Sequence, residues 1–232
     1  MGESTSPQTD PTTAVAAPPE TGGEPEPSEG SDEVPATAEA EKSRVEGEFE
    51  IVTERRGGFV LGVLAGPTLG GAKGNPSAKA TRDDPSFEQD AGIGMGYRIT
   101  PFLGGALTDW FTFGLGMSFA SLANSDYQTR VDTFVFHLEA YPLYGEGGVF
   151  RDLGLAADFG AGTSSIRSKA LDEKVAESGV ASTVGLGVFW EPLRMWQLAG
   201  GPYVGYQRNW SRWYGRDDVM VGFRMMFYGD QP

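Results

Sequence analysis

The chain has no cysteine among its 232 residues and a single histidine. The first absence excludes disulfides, thiolate chemistry and cysteine-ligated zinc; the second leaves His137 as the one imidazole for acid–base work. No cofactor motif is present, and no cluster of metal-ligating spacing, so neither a cofactor nor a metal is expected. Long apolar runs are missing too. The best small-xxx-small stretch, Gly58, Gly62 and Gly66, is cut by Pro67 well short of the ~20 residues a spanning helix needs. Basic patches are equally scarce. Residues 1–50 hold thirteen acids against Lys42 and Arg44, a net of −11, so the remaining residues carry only −3 of the chain's −14. Neither part offers a surface for phosphates, which argues against a nucleic-acid partner.

What is present falls into two regions. Residues 1–56 are rich in Pro, Glu, Ser, Thr and Ala, with Phe49 as the only aromatic; such a segment buries too little surface to offset the entropy of ordering and is expected to be a disordered acidic tail. A short alternation in VEGEFEIV, Val45 to Val52, is expected to be either a short strand or a lead-in to the second region. No apolar leader precedes the tail, so an exported protein would have had its signal peptide removed. Met1, Gly2 and Ser6 fit a myristoylation pattern formally, but no basic cluster reinforces it.

Residues 57–232 are dominated by a period of two. In AGIGMGYRIT, Ala91, Ile93, Met95, Tyr97 and Ile99 alternate with Gly92, Gly94, Gly96, Arg98 and Thr100. A strand projects these sets to opposite faces. One face is bulky and apolar and the other almost bare, the reverse of a half-buried strand on a soluble core. In a small membrane barrel, apolar groups meet lipid and the lumen takes glycine and polar groups.

The pattern recurs eight times. Phe59, Leu61, Val63, Ala65, Pro67 and Leu69 oppose Gly62, Gly66 and Thr68, with Val60 and Leu64 as exceptions. Phe111, Phe113, Leu115, Met117 and Phe119 oppose Thr112, Gly114, Gly116, Ser118 and Ala120. Phe134, Phe136, Leu138 and Ala140 oppose Thr133, Val135, His137, Glu139 and Tyr141. The remaining strands start near Leu153, Val180, Leu198 and Asp218. The expected fold is therefore all-β: an eight-stranded antiparallel up-and-down transmembrane β-barrel behind a disordered tail, an even number at the smallest size of membrane barrel.

The connections are expected to alternate. The first, third, fifth and seventh are polar and mostly long, such as GAKGNPSAKATRDDPSFEQ; the second, fourth and sixth (TPFLGGALTD, PLYGEGGVFRD, EPLRM) are shorter. This puts both chain ends and the tail in the periplasm and the odd connections at the cell surface. Aromatic girdles would then comprise Tyr97, Phe102, Tyr141, Trp190, Trp196 and Tyr228 on the periplasmic side, with Phe119, Tyr127, Trp210 and Trp213 on the outer side.

From Gly57 to Tyr228 the pattern resembles the small eight-stranded outer-membrane barrels, the OmpA/OmpX-like barrel domains. The last strand resembles the family's insertion signal, with Gly222, Met225 and Phe227 in the glycine, apolar and aromatic places, Met220 where a polar residue is preferred, and Tyr228-Gly-Asp-Gln-Pro continuing past the usual aromatic end. The resemblance implies a monomer in a Gram-negative outer membrane, with membrane lipid and the barrel-insertion machinery as its partners.

Arg98, His137, Glu139, Asp158 and Arg224 share the inward face and are expected to form a polar network, because opposite charges in a narrow interior must pair. Glu139 or Asp158 is expected to pair with Arg98 or Arg224. The favoured function is non-enzymatic: a plugged barrel working through its loops or tail. The alternatives are a lipid A-modifying enzyme using His137 with a serine such as Ser118, a narrow porin-like pore, and a soluble lipocalin-type barrel with Phe113 and Leu115 inside.

Overall fold

A computed structural model describes residues 56–76, 78–146 and 148–229; the expected disordered tail lies outside the described residues, apart from Arg56. Among the described residues ten strands succeed one another: β1 (Gly58–Gly74), β2 (Gln89–Thr108), β3 (Phe111–Ala123), β4 (Tyr127–Ala140), β5 (Leu153–Ser168), β6 (Glu173–Glu177), β7 (Ala181–Trp190), β8 (Leu193–Met195), β9 (Leu198–Ser211) and β10 (Tyr214–Tyr228). Eight of them pair as antiparallel neighbours in the order β10-β1-β2-β3-β4-β5-β7-β9, and β9 pairs with β10 to close the barrel. The closing seam between first and last strands runs from Val60 opposite Tyr228 to Gly74 opposite Tyr214. The small β6 and β8 are hairpin partners of β5 and β9.

The face assignment obeys the alternation. Ile93, Phe113, Leu155 and Phe223 are 75%, 40%, 48% and 45% exposed and point outward. Val60, Thr112, His137, Glu139, Asn209 and Arg224 are fully or almost fully buried and point inward. A soluble ligand-binding barrel would have these sets exchanged. The lumen is not purely polar, however: Val60, Leu64, Phe102, Phe189, Met220 and Met226 fill it together with Tyr141, Tyr203 and Tyr228. The lumen glycines accommodate the large rings, since a Cβ at Gly62 would lie 2.3 Å from the Phe102 ring and one at Gly154 would lie 2.1 Å from the Phe189 ring. A second apolar cluster of Ala72, Ala91, Ile166, Ala176 and Tyr214 packs at the opposite end, with Ala176 supplied by β6.

The connections differ from expectation. TPFLGGALTD is almost entirely strand: β2 runs on to Thr108 and turns through Asp109 and Trp110 alone. Pro101 lacks an N–H but pairs by register with Val63, and the β2–β3 ladder resumes at Phe102 opposite Gly116. The third and seventh connections shrink to residues 124–126 and 212–213. Polar residues of the stretches expected to form them, SLANSDYQTR and NWSRWYGRDD, such as Arg130 and Asp217, occupy strand positions beyond the apolar belt, as do the neighbouring Asp132 and Arg208. Only the first and fifth odd connections are long, and the fourth, residues 141–152, is long among the even ones.

Candidate functional site: a two-layered polar lumen

The lumen holds two polar layers, one toward the end where β1 begins and β10 finishes, the other toward the far end. Arg224 on β10 anchors the first. Its Nε and Nη2 donate to the two carboxylate oxygens of Glu139, both at 2.6 Å, and its Nη1 donates to Glu191 Oε2 at 2.5 Å. The planar guanidinium fork matches two carboxylates in a way a lysine point charge does not. Period-two alternation on β4 puts His137 beside Glu139 on the same inward face. The His137 ring lies between Glu139, 3.0 Å from Nε2, and Asp158, 2.7 Å from Nδ1. Phe102 packs against the imidazole with ring centroids 4.0 Å apart and the ring planes tilted by 38°.

Below Arg224 the layer ends in a plug. Glu191, in the connection after β7, accepts from Tyr228 at 2.9 Å and Tyr141 at 3.1 Å, and is also held by Arg194. Arg56 donates to Asp152 at 2.6 Å and to Glu191 at 3.4 Å, its backbone N–H donates to Asp109 at 2.7 Å, and its guanidinium lies 3.6 Å from the centroid of the Tyr141 ring. Burial alone would push the Glu191 carboxyl up; the guanidiniums of Arg224, Arg56 and Arg194 outweigh it and hold this carboxyl below its ordinary range.

The second layer centres on Asp218. Arg98 and Arg216 both approach it, at 3.2 and 3.0 Å. Arg98 also donates to Gln207 at 2.7 Å, and Arg216 donates to Thr129 at 3.1 Å.

Of the five residues expected in one network, the structure joins His137, Glu139, Asp158 and Arg224 and sets Arg98 apart. The expected pairing is found for Glu139 with Arg224. Asp158 pairs with His137 rather than with an arginine, and Arg98 pairs with Asp218. The sequence reading missed Glu191, Arg56, Arg216 and Asp218 as ion-pair partners. For Asp218 and Arg216 the signal was available, because both share the inward parity of Arg224. Glu191 and Asp152 lie in connections, where no periodicity announces a direction.

Several girdle assignments need correction. Tyr141, Phe102 and Tyr228 are buried lumen residues, not interfacial ones. Tyr97 is exposed but sits opposite Ser121 and Pro67, toward the far end. Trp190 and Trp210 are exposed on barrel strands, and Trp196 is exposed in the turn between β8 and β9. Trp213 is half-buried in the loops, donating to Asp83 at 2.8 Å with the Arg82 guanidinium over its ring. Arg56 belongs to the barrel, not to the tail with which it was grouped. On β10, Met225 and Phe227 face outward beside Gly222, where a Cβ would lie 2.3 Å from the Ala65 carbonyl oxygen. Ser118 is bound by the Thr100 hydroxyl at 3.0 Å, one strand away from His137, and both imidazole nitrogens face carboxylates.

No protein-family description matches this chain, and no curated protein does either. Among solved structures, the attachment invasion locus protein Ail of Yersinia pestis, seen in complex with the heparin analogue sucrose octasulfate, is 12% identical with a TM-score of 0.45, the match covering 74% of this chain and 99% of that one. Neisserial surface protein A is 8% identical with a TM-score of 0.42, over 73% and 96% of the two chains. The outer membrane protein OprG of Pseudomonas aeruginosa is 11% identical with a TM-score of 0.41, over 76% and 99%. The barrel described here stands on its own strand pairings.

Proposed function

We propose that this chain is a non-enzymatic β-barrel of a Gram-negative outer membrane, monomeric, with a lumen closed by its own side chains and its work carried by its connections or its tail in envelope structure or surface interaction. The observation that carries the reading is the outward apolar band on every barrel strand around an ion-paired interior, an arrangement that water would destabilise and hydrocarbon favours. In this reading the chain ends and the acidic tail are periplasmic and the connection between β1 and β2 is at the cell surface. Trp190, Trp196 and Trp210 lie near the lipid interfaces. Gly222, Met225 and Phe227 serve the insertion machinery.

Two features weigh against the alternatives. An enzymatic histidine needs a free ring nitrogen to take a proton from a nucleophile, whereas carboxylates occupy both of those of His137. A pore needs a continuous opening, whereas Arg56, Tyr141, Glu191, Arg224 and Tyr228 cross-link one end of the lumen. Fractionation of expressing cells with gel migration before and after boiling tests the reading. A compact unboiled species in the outer-membrane fraction is expected; a soluble periplasmic species overturns it.

A further inference from the structure

We propose that the short helix Gly148–Asp152 and the turn between β8 and β9 form an amphipathic foot, seated in the headgroup boundary of the phospholipid leaflet on the side of the chain ends. This rests on the membrane-barrel reading above and gives a place in lipid to a connection that the sequence alone assigns to the periplasm.

The connection after β4 divides in two. Its first part turns under the lumen, where the Tyr144 hydroxyl donates to Asp109 at 2.8 Å and its ring packs against the buried apolar cluster. Its second part is a 3-10 helix, Gly148–Asp152, that begins at a left-handed Gly148 with φ 68°, a conformation glycine adopts without strain. Trp190 locates this helix. It faces outward at the end of β7, opposite Leu153, and its indole N–H donates to the Val149 carbonyl at 3.1 Å. The Glu191 backbone N–H donates to the Asp152 carbonyl at 3.0 Å and holds the helix's last residue. The helix is therefore tied to the outer wall, with Val149 and Phe150 57% and 64% exposed beside the indole. Its polar groups turn the other way: the Arg151 guanidinium lies 5.0 Å from the centroid of the Tyr144 ring, and Asp152 pairs with Arg56 in the plug.

The same end of β7 leads into a second apolar projection. β8 succeeds β7 along one flank of β9, Phe189 lying opposite Tyr203 and Leu193 opposite Gly200. Leu193 and Met195 are exposed, while Arg194 between them pairs with the buried Glu191, so the alternation carries the outward apolar band past the end of β7. In the turn beyond, Trp196 has φ 61° and is 91% exposed. A bulky side chain rarely adopts that conformation, and at such exposure the protein itself does little to offset the strain. An outlier of this kind points to a role outside the fold.

Continuity selects lipid as the occupant. Trp190 follows the outward Val188 on β7, and Leu193 and Met195 prolong the same wall, so the foot is the lower margin of the lipid-facing band and not a separate patch. In water so many neighbouring exposed apolar groups would be a liability. At an interface, an amphipathic segment sinks its apolar face roughly 5–10 Å into the headgroup and acyl boundary, where an indole keeps its ring in an apolar layer and its N–H among acceptors.

Because the chain has no cysteine, single cysteines carry a nitroxide label without background. The whole chain is folded into nanodiscs of phosphatidylethanolamine and phosphatidylglycerol, which leave both faces open to reagents. Labels are placed through Phe150→Cys, Trp196→Cys, Phe136→Cys in the outward band of β4 and Asp126→Cys in the β3–β4 turn, with heat-modifiable migration as the check on folding. Collision of each label with oxygen, which concentrates in lipid, is compared with collision with a water-soluble nickel chelate. The oxygen-to-nickel ratio at positions 150 and 196 should exceed that at 126 several-fold and fall below that at 136. A ratio at either position equal to that at 126 overturns the foot, as does shielding from both reagents, which would mean a protein contact. Lipid at 136 with water at 150 and 196 overturns the foot alone; water at 136 as well overturns the membrane reading beneath it.

Discussion

The two layers of the lumen solve one problem to different degrees. Near the chain ends, Arg224, Arg56 and Arg194 meet Glu139, Glu191 and Asp152 with short bonds, and Tyr141 and Tyr228 supply hydroxyls to the remaining carboxylate lone pairs. At the far layer, two arginines share Asp218, and donors remain on Arg216 and Asn209. The first layer is thus a lock whose parts need one another. In the second, two arginines divide one carboxylate, and donors and acceptors alike are left without partners among the described residues. The comparison teaches that burial of charge in this barrel does not by itself signify rigidity; the balance of donors and acceptors in each layer does.

The sharpest way to break the comparison is to remove the centre of the lock. Arg224→Met leaves Glu139 and Glu191 facing each other without their shared counter-charge, and is expected to cost about 3–5 kcal/mol. Urea unfolding of the barrel in lipid vesicles, monitored by loss of heat-modifiable migration, measures it. If the loss is below about 1 kcal/mol, the lock is not one. A second change moves a charge to the opposite side of the same wall. Leu115→Arg turns an outward residue on β3 into a cation against hydrocarbon and is expected to cost about 2–4 kcal/mol near the midplane. A neutral result in vesicles would place Leu115 in water and undo the assignment of faces.

Much of the barrel was legible because a barrel strand advertises its faces at every second residue. The eight strands and the inward direction of His137, Glu139, Asp158 and Arg224 come from parity alone. Strand ends were not legible, for a physical reason. Arg130, Asp132, Arg208 and Asp217 keep strand geometry past the outward apolar band, so the alternation of hydropathy stops before the hydrogen bonding does. The inward aromatics misled in the other direction. Tyr141, Phe102 and Tyr228 carry the composition of an interfacial girdle, yet their parity puts them on the lumen side, where glycines on neighbouring strands leave space for rings such as that of Phe102. The partners in the connections, Glu191, Asp109 and Asp152, had no periodic signal to betray them.

Smaller changes sharpen the contrast. Tyr228→Phe removes one hydroxyl from Glu191, which still keeps Arg224, Arg56 and Tyr141. The expected cost is about 1–2 kcal/mol, that of one hydrogen bond to a charged group, read from the same unfolding curves. Such a partial loss, next to the larger effect of Arg224→Met, would identify the arginine as the keystone and the tyrosine as its support.

The smallest effect is expected at Thr100 and Ser118, a neutral pair between β2 and β3 whose hydroxyls meet at 3.0 Å. Thr100→Val preserves shape and removes the donor; Ser118 then keeps an acceptor with no partner, a cost of about 1 kcal/mol. Thr100→Val together with Ser118→Ala removes both halves of the bond and should recover part of that loss, because an apolar pair in the same space leaves nothing unsatisfied. The double-mutant cycle isolates the pair. A coupling near zero would mean that the two hydroxyls do not meet in the folded barrel, and the β2–β3 register through Pro101 would then have to be redrawn.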